Sequence, residues 1–163
     1  RLWDVRARQS REPIQILAGV FKDSVTGVVA SGYEVITSCV DGCVRLHDLR
    51  TGQCHTDALN LGGRAQPLTS VALSHDRKCV LTSAMGTGGE SACAVLLDKE
   101  TGTPLQGYRG HMHSSYALSS CFTCDDAYVV SGSEDGDVLV WGLVEGEVLQ
   151  RLPHKSVTPG VQK

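Results

Sequence analysis

Residues 128–142 read YVVSGSEDGDVLVWG, two apolar runs separated by an acidic turn that ends in Asp135-Gly136. An Asp-Gly pair between two runs rich in β-branched residues is a strong sequence signal for a β-hairpin. A second turn, Glu145-Gly146, follows the run that closes at Trp141. Short strands separated by turns, without helical periodicity, predict an all-β fold.

The pattern recurs along the chain at a regular interval. Four residue pairs each stand at the end of an apolar run: Trp3-Asp4, His47-Asp48, Leu97-Asp98 and Trp141-Gly142. Successive pairs are separated by 44, 50 and 44 residues. Turn pairs follow the last three at the same spacing: Thr51-Gly52, Thr101-Gly102 and Glu145-Gly146. Independent landmarks that keep one period indicate tandem structural units. The longer middle interval places an insertion at residues 85–91, a Gly-rich stretch that predicts a flexible loop.

Each unit reads as four short strands. In the last unit they are predicted at Tyr116–Phe122, Ala127–Ser133, Asp137–Trp141 and Val148–Leu152. Four-stranded units repeating at this period favour a β-propeller over a β-sandwich. The chain then divides into the end of a blade (1–19), a blade (20–60), a blade with the insertion (61–109), a blade (110–152) and the start of another (153–163).

The composition limits the function classes. The 163 residues carry a net charge of −3, which argues against direct binding of nucleic acid or an anionic membrane. No apolar run reaches the roughly 18 residues of a membrane-spanning helix. Seven cysteines, an odd number, without a secretory signal favour reduced thiols and hence a cytoplasmic location, with the nucleus as a further possibility.

The last unit resembles the WD-repeat family. Its Gly110-His111, its run Ser131–Gly136 and its closing Trp141 stand in the order and spacing of that family's pattern. The resemblance implies a structural hydrogen-bonded network of His111, Ser133, Asp135 and Trp141. The His/Ser/Asp set is therefore interpreted as part of the structural framework of the fold. No catalytic, cofactor-binding or metal-binding residue is predicted.

The two earlier units depart from the pattern. Val20, Cys39 and His47 stand where the first full unit would have His, Ser and Trp, although Asp41-Gly42 is present. In the middle unit, these positions are occupied by Gly63, Ala84 and Leu97. These blades are expected to rely on apolar packing and to be locally less rigid.

A complete ring needs more units than this chain contains. WD propellers commonly close with seven blades within a range of 4–8. Three full units amount to about half of such a ring, which would expose two sheet faces. The expectation is an incomplete ring, either a fragment of a longer chain or one of two copies that pair.

Three stretches extend the resemblance to WD-repeat scaffolds that organise mitogen-activated protein kinase cascades. They are residues 40–50, 96–102 and 133–146. The resemblance implies a non-catalytic protein that assembles kinase-cascade components and associates with spliceosome proteins.

A different function is suggested by two WDxR-like boxes, Trp3–Arg6 and His47–Arg50. They resemble the box by which some WD-repeat proteins dock the adaptor of cullin-RING ubiquitin ligases. Arg6 and Arg50 would carry that docking as charged contacts. The alternative is that each arginine caps a turn.

One loop concentrates residue types that are common at protein interfaces. Tyr108, Arg109, His113 and Tyr116 cluster around the loop that enters the last full unit. Arginine and tyrosine are frequent anchors in binding surfaces, so these four are candidate partner contacts. The alternative is an ordinary solvated loop.

A zinc site was weighed at Cys121 and Cys124. Their odd sequence offset places them on opposite faces of a strand, so they are read as structural thiols.

Overall fold

The computed structural model describes residues 1–6, 11–17, 19–58, 66–89 and 91–154, which contain twelve β-strands and no helix. The all-β prediction is therefore confirmed. The first sheet comprises β1 (Val25–Ser31), β2 (Glu34–Cys39), β3 (Cys43–Asp48) and β4 (Cys54–Ala58). The second comprises β5 (Leu68–Leu73), β6 (Cys79–Ala84), β7 (Cys93–Asp98) and β8 (Pro104–Tyr108). The third comprises β9 (Ser120–Phe122), β10 (Tyr128–Gly132), β11 (Asp137–Gly142) and β12 (Val148–Pro153).

Each sheet is an antiparallel meander in chain order, so its turns alternate between two ends. We call one end the insertion rim: it holds the β2–β3, β6–β7 and β10–β11 turns and the β8–β9 connection. We call the other end the arginine rim: it holds the β1–β2, β3–β4, β5–β6, β7–β8, β9–β10 and β11–β12 turns. The insertion and Arg50 therefore lie at opposite ends of the sheets.

The two central strands of the middle sheet, β6 and β7, are buried on both faces, and the sequence of β7 is accordingly almost continuously apolar. Successive residues of a strand face opposite sides. In β7, Cys93, Val95 and Leu97 pack towards the first sheet. The intervening Ala94 and Leu96 pack towards the third sheet. Three sheets stacked in this way are consistent with part of a β-propeller.

The first strands of the sheets lie side by side and are joined by threonine hydroxyls. Thr26 Oγ1 of β1 donates to the Leu68 carbonyl at 2.7 Å. Thr69 Oγ1 of β5 donates to the Leu118 carbonyl at 2.8 Å. Each hydroxyl thus satisfies a backbone acceptor of the following unit, which fixes the contact between neighbouring sheets.

The first sheet contains a buried ion pair where apolar packing was expected. Arg45 Nη2 lies 2.6 Å from Asp41 Oδ2, with 2% and 7% of the two side chains exposed. The guanidinium also lies over the Phe21 ring, 5.0 Å from its centroid. The first sheet also packs Ile36, Val44 and Leu46 in an apolar core with the second, as expected, so the ion pair is an addition that the sequence analysis did not predict.

Strand β9 is shorter than predicted. The sequence placed its start at Tyr116, whereas the strand begins at Ser120. The amides of residues 114–116 bind the Glu134 side chain, which draws them away from the sheet. The other three strands of this sheet agree with prediction to within one residue at each end.

Candidate partner-binding surface

Trp141 is the largest fully buried side chain of the described residues. Its indole Nε1 donates to the Arg109 carbonyl at 3.0 Å. The His111 ring packs edge-on against the indole, with ring centroids 5.5 Å apart. The fold therefore brings His111 and Trp141 together through a ring contact.

Ser133 and Asp135 form a separate set of contacts. Ser133 Oγ accepts from the Met112 amide at 2.8 Å. Its hydrogen bond with Asp135 lowers the pKa of that carboxyl. Asp135 also pairs with Arg151 of β12 at 3.2 Å.

Of the hydrogen-bonded network implied by the family resemblance, the Ser133–Asp135 bond is present, whereas His111 and Trp141 make no hydrogen bond to the other members among the described residues. Both ring nitrogens of His111 lack a hydrogen-bond partner among the described residues. Asp135 instead accepts from Arg151, and the Trp141 indole N–H donates to the Arg109 carbonyl.

Two of the four candidate partner contacts lie in the interior. Tyr108 is fully buried and its hydroxyl donates to the Leu143 carbonyl at 2.7 Å, while burial raises its pKa to about 12. His113 is 2% exposed and its Nε2 lies 3.3 Å from Thr69 Oγ1. The structure corrects the prediction for Tyr108 and His113, because the contact between the second and third sheets covers both.

The two remaining candidates lie on the surface. Arg109 is exposed, and Tyr116 is 71% exposed. The structure adds Met112, which is 56% exposed and which the sequence reading did not single out. The signal was present in the sequence: Met112 stands between two inward-facing histidines, and alternate residues of an extended segment face opposite ways.

Glu134 holds this surface loop in place. Its Oε1 accepts from three consecutive amides, those of Ser114, Ser115 and Tyr116, at 2.8, 2.6 and 2.9 Å. Its Oε2 accepts from the Ser114 hydroxyl at 3.0 Å. These hydrogen bonds lower the pKa of Glu134 to about 2. Sequence reasoning missed this role, because a residue of the β10–β11 turn gives no sign of which loop it binds.

The insertion lies beside this loop. Its Gly86 amide donates to the His113 carbonyl at 2.9 Å. Gly89 has φ +95°, a conformation that other residues rarely adopt. A cleft of about 210 Å³ separates the insertion from residues 111–114. We call it the insertion-rim cleft; its walls include Gly86, Gly89, His111, Met112 and His113.

Burial disfavours the charged form of both histidines of the cleft. Burial lowers the pKa of His111 to about 4, with a smaller contribution from His113, while the charge of Asp135 opposes the shift. Burial also lowers the pKa of His113 against the charge of Glu134 and the backbone of Tyr116.

Arg6 and Arg50 have the same local geometry. The Arg6 amide and Nε bind Asp4 Oδ1 at 2.9 and 3.2 Å. The Arg50 amide and Nε bind Asp48 Oδ1 at 2.8 and 3.3 Å, and its guanidinium lies over the Tyr33 ring. Each arginine caps its turn, and each side chain remains largely exposed.

The two cysteines of the third sheet lie at its surface. Both Cys121 and Cys124 are exposed. Within the described ranges, no three His, Cys, Asp or Glu side chains converge as metal ligands. The same residues include no helix of the length and apolarity that a bilayer crossing requires.

Part of this region is similar to a known repeat. Residues 102–142 match the profile described as "WD domain, G-beta repeat". The matched segment begins ahead of β8 of the second sheet and ends with β11 of the third. The repeat unit therefore bridges two sheets, as the threonine hydrogen bonds also do.

Relatives with WD-repeat names match most of the chain. WD repeat domain-containing protein 83 of Rattus norvegicus is 39% identical over 145 residues, covering 89% of this chain and 42% of the relative. The Homo sapiens protein of the same name is 40% identical with the same coverage. The chain therefore spans less than half the length of these two relatives.

The fold resembles that of a designed protein. The crystal structure of the computationally designed Ika4 protein superimposes with a TM-score of 0.65 at 23% identity, covering 86% of this chain and 81% of the designed one. At this identity the likeness concerns the fold alone. Together, the matched repeat and the WD-repeat relatives support membership of this chain in the WD-repeat family.

Proposed function

We propose that the protein is a non-catalytic interaction scaffold that assembles components of a mitogen-activated protein kinase cascade and associates with pre-mRNA splicing proteins, in the cytoplasm and the nucleus. The resemblance of residues 40–50, 96–102 and 133–146 to such scaffolds supports the kinase role. The relatives cited above carry WD-repeat names and no enzyme name, which agrees with a binding role.

The observation that carries the binding role is the loop held by Glu134 on the insertion rim. It presents Met112 and Tyr116 to solvent. Glu134 binds the amides of residues 114–116 and the Ser114 hydroxyl, and the Met112 amide binds Ser133. A binding surface that is ordered before the partner arrives avoids part of the entropy cost of association. Exposed aromatic anchors on a fixed loop are typical of interface hot spots.

The test measures binding of purified kinases of one cascade to the immobilised protein. Replacing both Met112 and Tyr116 by alanine should weaken the kinase complex by about tenfold or more, since each is expected to act as an anchor. Tyr128→Ala is the matched control, because Tyr128 is an exposed tyrosine next to the arginine rim. Failure of every cascade kinase to bind the wild type, or equal binding by both variants, would overturn the proposal.

A second candidate function, docking of a cullin-RING ligase adaptor, is favoured by the shared geometry of Arg6 and Arg50. Both arginines stand two residues after an aspartate that fixes the turn and leaves much of the guanidinium accessible. A guanidinium held in this way offers oriented donors to a carboxylate of a partner.

Charge reversal separates the two candidates. In a binding assay with the purified ligase adaptor and the kinases, the double variant Arg6→Glu/Arg50→Glu should lose the adaptor and keep the kinases if the protein is a ligase receptor. The scaffold proposal predicts kinase binding that is indifferent to these changes. A wild-type protein that does not bind the adaptor eliminates the receptor hypothesis.

A further inference from the structure

The loop that Glu134 holds contains a serine whose hydroxyl takes part in the contact. Ser114 Oγ donates to Glu134 Oε2 at 3.0 Å, and the amides of residues 114–116 donate to Oε1. We call these four hydrogen bonds the Glu134 clamp. The clamp joins segments 20 residues apart in the sequence, so a change at Ser114 acts directly on the contact between the loop and the β10–β11 turn.

Ser114 lies where a modifying enzyme can reach it. Residues 114–117 are all exposed, and they lie between β8 and β9 without a strand partner. The second contact of Ser114 Oγ is a longer one, 3.4 Å to Ser115 Oγ. An exposed segment outside the sheets can be drawn into the active site of another protein without breaking a strand ladder.

The groups around Ser114 are poorly suited to balance an added negative charge. Backbone hydrogen bonds lower the pKa of Glu134 to about 2, so its carboxylate is ionised at neutral pH. Arg151, which lies at the same rim, already pairs with Asp135 and Asp137. Burial disfavours the cationic form of His113. A second anion placed beside Glu134 would therefore be repelled by it.

We propose that Ser114 is a phosphorylation site and that its phosphate opens the Glu134 clamp. This inference rests on the proposed function, because it makes the modification a switch for the surface that presents Met112 and Tyr116. In the transfer, Ser114 Oγ forms a bond to the γ-phosphorus of ATP, and the bond from that phosphorus to the bridging oxygen breaks, so that ADP leaves. The hydroxyl proton passes to the catalytic aspartate of the kinase.

The phosphate changes both the charge and the hydrogen bonding of the clamp. Phosphoserine carries about two negative charges at pH 7, and next to a glutamate it disrupts structure by like-charge repulsion. Ser114 Oγ, which now donates to Glu134 Oε2, becomes an ester oxygen without a proton. The loop then loses its fixed position, and a partner that binds Met112 and Tyr116 must order the loop at an entropy cost.

The first test incorporates phosphoserine at position 114 during translation and follows hydrogen exchange of the amides of residues 114–116 by NMR. Exchange should become about tenfold faster or more. Ser114→Ala removes the hydroxyl bond without adding charge, so it should change exchange by less than about threefold. Phosphoserine in a Glu134→Gln background should accelerate exchange much less, because the repelling carboxylate is gone. Exchange that the phosphate leaves unchanged, or slows as pairing with Arg109 would, overturns the proposal.

A phosphate elsewhere on the chain controls for a general effect of charge. Thr101 is exposed on the arginine rim, and its hydroxyl also donates to a carboxylate, that of Asp98 at 2.8 Å. Phosphothreonine at position 101 should leave exchange at residues 114–116 unchanged. Equal acceleration by the two phosphates would overturn the proposed repulsion at Glu134.

The second test asks whether the kinases of the proposed function modify this residue. The purified cascade kinases, supplied with magnesium and ATP, should add a phosphate to Ser114 that mass spectrometry locates and that Ser114→Ala lacks. The phosphorylated protein should bind its kinase about tenfold more weakly. Kinases that bind the chain but leave Ser114 unmodified overturn this inference and leave the proposed function intact. Kinases that neither bind nor modify the chain overturn both.

Discussion

At the residue scale, Asp41 has more hydrogen bonds than its position in a short hairpin turn requires. Its carboxylate accepts from the Lys22 and Cys43 amides and from two nitrogens of Arg45. The Arg45 guanidinium, above all, holds the pKa of Asp41 well below its ordinary value of 3.8. A lowered pKa in the folded state means that this contribution to stability is present above pH 4 and is lost as the pH falls further.

Asp41→Asn should therefore destabilise the protein and weaken its acid sensitivity. Removing one partner leaves the Arg45 charge buried and uncompensated, which costs about 3 kcal/mol at pH 7. Urea unfolding between pH 7 and pH 2 should show a decline for the wild type below pH 4 and a flatter profile for the variant.

Two further variants sharpen that experiment. Asp23→Asn, at an exposed carboxylate, should behave like the wild type. The double variant Asp41→Ala/Arg45→Met should recover much of the loss, because no charge then remains buried. An unchanged stability in Asp41→Asn would show that the pair contributes nothing.

Single residues were the hardest feature to predict from the sequence. The Asp41-Gly42 turn was recognised, but Arg45 stands at a strand position where a charged side chain is normally exposed. Tyr108 and His113 were assigned to the surface because a loop sequence does not reveal which residues face a neighbouring sheet. Their burial depends on the packing of the third sheet against the second.

At the scale of elements, Glu134 connects the β10–β11 turn to the loop that precedes β9. The turn also receives a backbone hydrogen bond, from the Glu134 amide to the Met112 carbonyl at 2.8 Å. The loop has no strand partner of its own between residues 114 and 119. The first half of the loop, residues 114–116, is held by the Glu134 side chain, while Thr69 of β5 binds the Leu118 carbonyl farther along.

Glu134→Ala should release the loop while leaving the sheets intact. Without the carboxylate, the amides of residues 114–116 lose their acceptor and should exchange with solvent faster by about tenfold or more. Hydrogen exchange followed by NMR measures this directly. Glu147→Ala, at an exposed glutamate of the β11–β12 turn, serves as the control. Unchanged exchange at all three amides would show that Glu134 does not order the loop.

Elements with strong local signals were predictable. The Asp-Gly and Glu-Gly turns and the apolar runs placed β10, β11 and β12 to within a residue at each end. The start of β9 was missed because a side chain remote in sequence competes for its backbone amides. The strand propensities of individual residues contain no information about such a contact.

At the scale of the whole molecule, the regular spacing of the repeats was the main basis for predicting the fold. It identified tandem four-stranded units from landmarks that individually are weak, and the middle sheet shows why the units need one another. Both of its faces are buried, so it cannot form its core without a neighbour on each side. The number of units in the complete ring remains a prediction.

Light scattering tests how the ring is completed. If the chain is part of a longer propeller, the isolated 163 residues should behave as a monomer of about 17.4 kDa. A discrete dimer would instead support two copies pairing into one ring, as an exposed sheet face permits. The measurement should be made at several concentrations, because a specific pair has a defined limiting mass and aggregates do not.

The alternation of turns between two rims has a consequence for assembly. A six-residue strand such as β11 is about 20 Å long, so it separates Tyr116 from the ends where Arg50 lies by that height. Two proteins docked at these ends would contact separate surfaces of the chain. Each protein could then bind the chain whether or not the other is already bound. The sheets would hold the two bound proteins at a fixed separation.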